Sequence, residues 1–294
     1  MTSIIIVNFN SGNLLEKCIE SVYQNFYRPD FELIVVDNHS KDSSYSYLTK
    51  EKKRSTVVFN KNNVGFAKAC NIGVSKSKGE YLLFLNPDTI ILEVDLQDLK
   101  IIYEQDPKIG TIGVKQIGEL GIVHKTCAQF PNAKQYLNKI TGLNKISSKI
   151  FPFRFLDLNY NEDQFVDQVI GSFLFIKKSI FNQHQGFDEQ FFVFYEEMDL
   201  AYRLNLSGLD NFYHSKMTIY HLGGGTTSKV KEHRLIYSWE SRLKFFKKHK
   251  GIIENVLIKL TTFVLEPISR IIRAFVMTNF KEIPIIIRAW KKVV

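Results

Sequence analysis

Short apolar runs that each lead into a polar loop recur through the first 90 residues. They lie at residues 4–7, 33–36, 56–59 and 81–85. After the first three loops, apolar residues recur at helical spacing. Runs this apolar predict strands that are buried on both faces, and strands that alternate with helices predict a parallel, doubly wound α/β sheet.

Polar side chains concentrate in the loops that follow these strands. Because the carboxyl ends of parallel strands meet at one edge of an open sheet, loop residues far apart in sequence should converge there. Each of them alone is explained by loop or helix-cap chemistry, but four such loops together predict a site for a polar ligand. The residues are Asn8, Asn10, Asp37, Asn38, Asn63, Lys68, Asn86 and Asp88.

Asp88 follows the fourth strand in the sequence Asn-Pro-Asp-Thr. Its carboxylate is a hard oxygen ligand that suits Mg²⁺ or Mn²⁺ and, through the metal, a diphosphate. Asn-Pro-Asp is also an ordinary turn signal after a strand. The first strand lacks a Gly-x-Gly-x-x-Gly turn and the chain lacks a P-loop, which argues against a nicotinamide dehydrogenase or a P-loop nucleotidase.

The second half of the chain has a different pattern. Residues 119–165 have no clear periodicity and are rich in lysine, asparagine and aromatic residues, which predicts loops and short helices. A strand is expected at 169–176, a helix at 196–206 that ends near Gly208, and a strand at 217–221.

Three carboxylates, Glu196, Glu197 and Asp199, lie in the first turn of the predicted helix. Acidic residues there are stabilised by the helix dipole, and Asp199 can also pair with Arg203 four residues later. Alternatively, one carboxylate points into a cleft as a general base. His221 ends the last strand, ahead of the glycine-rich residues 222–228, and is either a structural histidine or a second metal ligand.

Charge and cysteine content narrow the class of protein. The 39 basic and 30 acidic residues give a net charge of +9, which favours anionic partners. The basic residues match no nucleic-acid reader motif, so no nucleic-acid partner is expected. Three widely spaced cysteines, no signal-peptide pattern and no uncharged run near the roughly 20 residues of a membrane span predict a protein kept inside the cell.

Seven segments, in this order, resemble family 2 glycosyltransferases of the GT-A fold, and specifically their rhamnosyltransferase-type members. The resemblance runs from Ile4 to about Ser228. The segments are Ile-Ile-Val-Asn-Phe-Asn-Ser-Gly at 5–12, Leu-Ile-Val-Val-Asp-Asn-His-Ser-Lys-Asp at 33–42, Asn-Val-Gly-Phe-Ala at 63–67, Leu-Asn-Pro-Asp-Thr at 85–89, Gly-Phe-Asp-Glu-Gln-Phe-Phe at 186–192, Tyr-Glu-Glu-Met-Asp-Leu at 195–200 and His-Leu-Gly-Gly-Gly at 221–225.

The resemblance implies a Rossmann-like, mostly parallel sheet flanked by helices, with a C-terminal helical extension. Residues 1–115 would form the nucleotide-sugar-binding half, 116–230 the acceptor-binding and catalytic half, and 231–294 a basic amphipathic extension. The activity implied is inverting transfer of one sugar, L-rhamnose as the first expectation, from a dTDP-sugar or UDP-sugar to a hydroxyl of a saccharide or lipid-linked saccharide in cell-surface polysaccharide synthesis.

The resemblance also assigns roles to residues. Asp88 would hold a divalent metal, Mg²⁺ or Mn²⁺, with His221 as a further ligand, and Glu197 would be the base, supported by Glu196 and Asp199. The donor would be bound by a set of polar residues and one glycine: Asn8, Asn10, Asp37, Asn38, Asn63, Gly65, Lys68 and Asn86.

The chain departs from the family pattern at two positions. Asn86 replaces the first aspartate of Asp-x-Asp, and Glu197 stands where aspartate is more usual, so the choice of base between Glu196 and Glu197 stays open. The basic and apolar residues beyond Trp239 predict helices that pack on the catalytic domain or lie on an anionic membrane at the inner face of the cell membrane.

Three other hypotheses compete with a single-sugar transferase. A processive synthase would be expected to carry membrane spans and a Gln-x-x-Arg-Trp motif, neither of which is found in the sequence. A nucleotidyltransferase would be expected to carry a glycine- and arginine-rich loop after the first strand, where this chain has Asn-Phe-Asn-Ser-Gly. A catalytically inactive sugar-nucleotide-binding or scaffold protein is the alternative from a different class.

Overall fold

The computed structural model describes residues 1–27, 29–51, 55–147, 150, 158–223 and 231–294. Two compact units divide the chain. The first comprises Met1–Gln129, Asp157–Phe192 and Glu196–Thr226, and the second comprises Phe130–Leu156, Val193–Tyr195 and Thr227–Val294. Within the described ranges, no helix is long and apolar enough to cross a membrane.

The first unit is built on a nine-stranded mixed sheet, as far as the structure describes it. The strands and helices of this unit are β1 (Thr2–Asn8), α1 (Asn13–Asn25), β2 (Phe31–Asp37), α2 (Ser43–Glu51), β3 (Thr56–Phe59), α3 (Phe66–Lys76), β4 (Tyr81–Leu85), β5 (Thr89–Glu93), α4 (Leu96–Gln105), β6 (Ile109–Ile117), β7 (Cys127–Ala128), β8 (Gln164–Val166), β9 (Gln168–Val169), β10 (Phe173–Lys177), α7 (Lys178–Gln183), α8 (Glu196–Leu206) and β11 (Asp210–His221). The order of strands in the sheet is β3-β2-β1-β4-β10-β6-β11-β5, with β8 also paired to β11.

The apolar runs form the centre of this sheet, as the sequence predicted. In β1, Ile4 and Ile6 face a core layer with α1 and α4, whereas Ile5 and Val7 face the opposite layer with α3 and α8. Successive side chains of a strand point to opposite faces, so a run of four apolar residues supplies both layers. The predicted fold, a mostly parallel sheet flanked by helices with a C-terminal helical extension, is confirmed.

Three strands of the sheet, β5, β8 and β10, run antiparallel to the strands they pair with, which was not anticipated. The chain does not pass from β4 into a helix but forms β5, which pairs antiparallel with β11 at the sheet edge. The predicted strand at 169–176 is interrupted: β9 pairs with β7, and β10 inserts antiparallel between β4 and β6. Both interruptions leave a loop at the sheet edge where the polar residues converge.

The last predicted strand is longer than expected. β11 begins at Asp210 rather than Met217, and its pairing shifts register between His214 and Thr218, where a bulge bends it. The predicted helix at 196–206 is found with the same bounds, and Gly208 follows it with a φ of +84°. The predicted glycine loop is described only to Gly223, since Gly224, Gly225, Thr226, Thr227 and Ser228 lie outside the described residues.

The second unit is helical in the residues described. It contains α5 (Ala133–Thr141), α6 (Leu143–Ile146), α9 (Lys231–His249), α10 (Ile252–Leu260), a π-helical turn (Thr261–Leu265), α11 (Glu266–Val276) and α12 (Glu282–Val293). A buried ion pair joins α9 to α11, where Arg242 donates to Glu266 at 2.6 Å. Arg242 also lies 4.8 Å from the centre of the Tyr136 ring, so α5, α9 and α11 meet at this guanidinium.

Candidate active site

Asn8 and Asp37 lie side by side at the ends of β1 and β2. The Asn8 amide nitrogen donates to Asp37 Oδ1 at 2.7 Å and is 2.9 Å from the Ser40 hydroxyl oxygen. Asp37 Oδ2 accepts from the Ser40 backbone N–H at 3.0 Å. Both side chains are buried, and their bonds to Ser40 hold the loop after β2 in place. They would therefore affect a ligand at this edge by fixing the loop backbone.

Asn10 lies above this pair and is exposed, with a φ of +52°. Its backbone N–H donates to the Ser40 hydroxyl at 3.0 Å, and its side-chain oxygen accepts from the Lys41 backbone N–H at 2.8 Å. Asparagine tolerates this left-handed conformation better than most residues. The loops after β1 and β2 are therefore tied together at the sheet edge.

Asn38 connects the next two loops. Its amide donates to Asn63 Oδ1 at 2.8 Å, and its oxygen accepts from the Val64 backbone N–H at 3.0 Å. Gly65 follows with a φ of +87°, and an added Cβ would lie 2.5 Å from the Phe192 carbonyl oxygen. Only glycine allows this approach, so the conformation of residues 63–65 is coupled to that of residues near 192.

Lys68 lies in the first turn of α3, three residues after Gly65. It is exposed and lies 3.3 Å from Glu189 in a surface ion pair. The sequence grouped Lys68 with the nucleoside-binding residues, whereas in the structure its described ion pair reaches toward the 186–192 segment.

Asp88 and His221 meet at the ends of adjacent elements. Asp88 Oδ1 lies 3.3 Å from His221 Nε2, and both side chains are buried. The contact follows from the β5–β11 ladder, in which His221 is opposite Thr89. Asn86 is half-buried, and its backbone N–H donates to the Ser172 carbonyl at 3.0 Å, which joins this loop to the one before β10.

The Asp88 and His221 pair fits a divalent cation as two of its ligands. Adjacent ligands of an octahedral ion with bonds of about 2.1 Å lie roughly 3 Å apart, close to the observed separation. Carboxylate oxygen and imidazole nitrogen are both ligands for Mn²⁺. Among the described residues no cluster of three or more His, Cys, Asp or Glu side chains suits a metal.

His124 lies beside this pair and was not singled out from the sequence. Its ring centre is 6.5 Å from that of His221, and burial together with the nearby His221 lowers the pKa of His124. An added Cβ on Gly118 would lie 2.1 Å from His124 Nε2, so the glycine leaves the space that the ring occupies. Residues 119–165 have no periodicity, so the sequence contained no signal for this histidine.

The three carboxylates of α8 have different surroundings. Asp199 is fully buried and bonded to Arg203 Nε at 2.8 Å, while the same guanidinium donates to the Gly186 carbonyl. Glu196 is buried, and burial followed by the charge of Glu197 raises the pKa of Glu196 well above its usual value. Glu197 is half-buried and accepts a long hydrogen bond of 3.4 Å from Gln168.

Gly171 leaves room for Glu197. An added Cβ on Gly171 would lie 3.3 Å from Glu197 Cγ, and Gly171 precedes Ser172, which bonds to Asn86. The loop that contains Asn86 and the side chain of Glu197 thus both border the short segment between β9 and β10. The sequence analysis did not single out Gln168, whose partner across 29 positions only the fold reveals.

A family comparison identifies the chain. The sequence model of the family described as "Glycosyl transferase family 2" matches residues 3–165, which is more than half of the chain. The chain belongs to glycosyl transferase family 2. The rhamnosyltransferase WbbL of Escherichia coli K12 is 26% identical over 71% of this chain and 78% of its own length. This glycosyltransferase also resembles the poly(ribitol-phosphate) β-N-acetylglucosaminyltransferase TarP of Staphylococcus aureus, at 38% identity over 33% of this chain.

Some of these matches cover only part of the relatives. The matched region spans 31% of TarP and 58% of glycosyltransferase GlyG of Streptococcus pneumoniae. Among solved structures, a mannosyltransferase from Pyrobaculum calidifontis in complex with GDP-Man and Mn²⁺ aligns with a TM-score of 0.58 at 14% identity. It covers 98% of this chain and 73% of its own.

The structure of S. aureus TarS residues 1–349 aligns with a TM-score of 0.53 at 14% identity, over 99% of this chain and 90% of its own. These likenesses establish that this family 2 glycosyltransferase has the GT-A fold.

Proposed function

We propose that this chain is an inverting glycosyltransferase that moves one sugar from a nucleotide-diphosphate sugar to a hydroxyl of a saccharide acceptor in cell-surface polysaccharide synthesis. The observation that carries the proposal is that two loops meet the same short segment, Gly171–Ser172. The Asn86 backbone N–H, two residues before Asp88, donates to the Ser172 carbonyl, and Gly171 leaves the space that Glu197 occupies. A carboxylate suited to hold a metal on a diphosphate and a carboxylate able to take a proton therefore border the same segment. Relatives that act on poly(ribitol-phosphate) and a rhamnosyltransferase support the polymer class.

Glu197 is the base in this proposal, and its two neighbours have other roles. Asp199 is held by Arg203, and burial followed by the charge of Glu197 raises the pKa of Glu196, which disfavours its charged form. Glu197 is half-buried whereas the other two carboxylates are buried, and Gly171 leaves space beside it. Glu197 therefore takes the acceptor proton, while Glu196 and Asp199 hold α8 in position.

The reaction is a single displacement. Glu197 accepts the proton of the acceptor hydroxyl, and the oxygen bonds to the anomeric carbon from the face opposite the diphosphate. The bond between that carbon and the diphosphate oxygen breaks as the new bond forms, which inverts the configuration. Asp88 and His221 would hold Mg²⁺ or Mn²⁺, which when bound would supply positive charge to the leaving diphosphate.

The donor site in this proposal lies in residues 1–115, the acceptor site in 116–230, and residues 231–294 form the extension. Asn10 and the loops braced by Asn8, Asp37, Asn38 and Asn63 would receive the nucleoside, with Gly65, Lys68 and Asn86 around it. A dTDP-sugar or UDP-sugar is proposed as donor. L-Rhamnose is supported by the relative WbbL. A lipid-linked acceptor on an anionic membrane is supported by the basic, apolar helices α10–α12.

The test is release of nucleoside diphosphate from dTDP-rhamnose, UDP-glucose and UDP-N-acetylglucosamine, with Mn²⁺ and after chelation. Glu197→Gln should lower turnover at least about 100-fold while circular dichroism stays unchanged. Asp88→Ala should abolish the metal-dependent thermal shift with nucleotide. Glu93→Gln, on the exposed part of β5, is the matched control and should leave both measurements unchanged.

Two outcomes would contradict the proposal in different ways. Near wild-type turnover in Glu197→Gln with loss in Glu196→Gln would move the base to the buried neighbour. A nucleotide-dependent thermal shift in the wild type without turnover for any donor and acceptor would favour the inactive, sugar-nucleotide-binding scaffold.

A further inference from the structure

Large apolar side chains form an exposed line along α10, the π-helical turn and α11. We call these residues the apolar stripe. Each is between 44% and 77% exposed, and they recur at intervals of one, three or four residues. The stripe consists of Ile253, Val256, Leu257, Leu260, Val264, Ile268, Ile272 and Phe275.

The π-helical turn keeps the stripe on one side. Leu260, Val264 and Ile268 are four residues apart, so on an ideal α-helix of about 3.6 residues per turn they would move gradually away from one face. The wider π-helical turn at Thr261–Leu265 has more residues per turn and reduces this rotation. Thr261, Thr262 and Glu266 are buried on the opposite side of the same segment. Monomeric proteins rarely expose so long a continuous apolar line unless it contacts a partner or a membrane.

The positive charge of the protein is concentrated in the same part of the chain. Residues 1–230 contain 25 basic and 25 acidic residues, whereas residues 231–294 contain 14 basic and 5 acidic ones, so the whole net charge of +9 belongs to the last 64 residues. The excess therefore points to an anionic partner for the extension.

Each acidic residue of α10–α12 has a polar partner within the second unit. Glu254 accepts from the Ala133 backbone N–H at 2.7 Å, and Glu266 is buried against Arg242 at 2.6 Å. Glu282 lies 3.5 Å from Lys231. Every acid of residues 251–294 is thus occupied within its own unit.

Exposed basic residues lie in the helices that carry the stripe and in the helix that follows. Lys259 lies in α10 and Arg273 in α11, Lys281 precedes α12, and Lys291 lies near its end. An exposed apolar line in a segment with exposed basic side chains matches the two parts of a lipid surface, apolar acyl chains and anionic headgroups. A second copy of this chain would bring the same positive charges together, which disfavours self-association through this face.

We propose that the apolar stripe lies in the plane of an anionic membrane, with Lys259, Arg273, Lys281 and Lys291 contacting lipid phosphates. The purpose of this contact rests on the proposed function, which takes a lipid-linked acceptor, but the surface itself rests on exposure and charge. Binding is peripheral, because apolar side chains on one side of a helix enter only the headgroup boundary.

The experiment measures co-sedimentation of the full chain with vesicles of phosphatidylcholine alone and with 30% phosphatidylglycerol, a composition of roughly the anionic fraction that attracts polybasic segments. Deleting the extension would remove buried residues, so point variants are used. They are a charge variant, Lys259→Glu with Arg273→Glu, and an apolar variant, Leu260→Ser with Ile268→Ser and Phe275→Ser. The matched control is Leu120→Ser with Leu206→Ser, which replaces two exposed apolar residues of the first unit.

We expect binding to anionic vesicles only, weakened about fivefold for each basic residue removed and at least about tenfold by the apolar variant. The control should bind as the wild type. Equal binding by all variants, or no vesicle binding by the wild type, would overturn the proposal. So would a wild-type dimer that the apolar variant converts to a monomer, since a second copy would then occupy the stripe.

Transfer to a water-soluble acceptor separates the two proposals. Variants of the stripe should keep that activity, because their substitutions lie outside the proposed donor and acceptor sites. Vesicle binding without any transferase activity would refute the proposed function and leave the membrane surface standing. Transfer without vesicle binding would do the reverse.

Discussion

Glu266 is a buried carboxylate whose ionisation can be converted into stability of the helical unit. Its Oε2 accepts from Arg242 at 2.6 Å, and its Oε1 lies 2.7 Å from Arg270. Burial alone would raise the pKa of Glu266, but Arg242 and then Arg270 lower it to about 2 from an ordinary value of 4.5. The charged form is therefore favoured in the folded protein.

The size of this effect follows from linkage. A pKa lowered by roughly 2.5 units corresponds to about 3 kcal/mol of unfolding free energy, at 1.36 kcal/mol per unit. A depressed carboxylate pKa contributes this stability fully above pH 4.5, and the contribution is lost as the pH falls from 4.5 toward about 2. Glu266→Gln removes the titrating group, so the variant should lack this part of the pH dependence and be destabilised near neutrality.

Tryptophan fluorescence is a selective assay for this unit. The chain contains two tryptophans, Trp239 in α9 and Trp290 in α12, and both belong to the helical unit. Urea unfolding followed by their emission at several pH values between 7 and 2.5 reports the local free energy. Wild type should lose about 3 kcal/mol more than Glu266→Gln over this range.

Glu232→Gln is the control for the fluorescence experiment. Glu232 pairs with Arg288 and Lys292, whose side chains are exposed, so solvent screens the interaction and the variant should follow the wild-type pH curve. Parallel pH curves for wild type and Glu266→Gln would refute the assignment of this stability to the buried pair.

Three further outcomes are expected. Asp199→Asn should destabilise α8 by about 3 kcal/mol, because Arg203 loses a buried charged partner. Turnover per folded molecule should be retained. Hydrogen exchange of the α8 amides measures the loss of stability, and a single-turnover assay measures the activity. Gly65→Ala should weaken nucleotide binding in a calorimetric titration, since its Cβ would meet the Phe192 carbonyl, whereas Gly208→Ala has the same positive φ with open space and should bind normally. The thiols of Cys70 and Cys127 should resist alkylation at pH 8 until urea is added, because burial raises the pKa of both, to about 12 for Cys127; fast labelling of the native protein would contradict this.

Much of the sheet edge was accessible to sequence reasoning, because local pattern and strand polarity are sufficient there. The convergence of Asn8, Asp37 and Asn38 follows from parallel strands that end in polar loops. The bounds of α8 were also predictable, since its first turn is acidic and Gly208 follows its end. What the pattern could not give was the direction of each side chain. Whether Asp37 contacts a ligand or braces Ser40 depends on contacts that spacing does not encode.

The sequence by itself determined that two layers of helices cover a sheet with acidic and amide residues at one edge, because apolar runs and loop chemistry are local properties. The tertiary structure alone decided that β5 and β10 run antiparallel, that His221 reaches Asp88, and that Glu197 lies beside Gly171. Those outcomes depend on contacts between residues 26 to 133 positions apart. An apolar or acidic residue in the sequence indicates that its side chain will be buried or paired. Which residue it contacts depends on how the strands pair in the folded sheet.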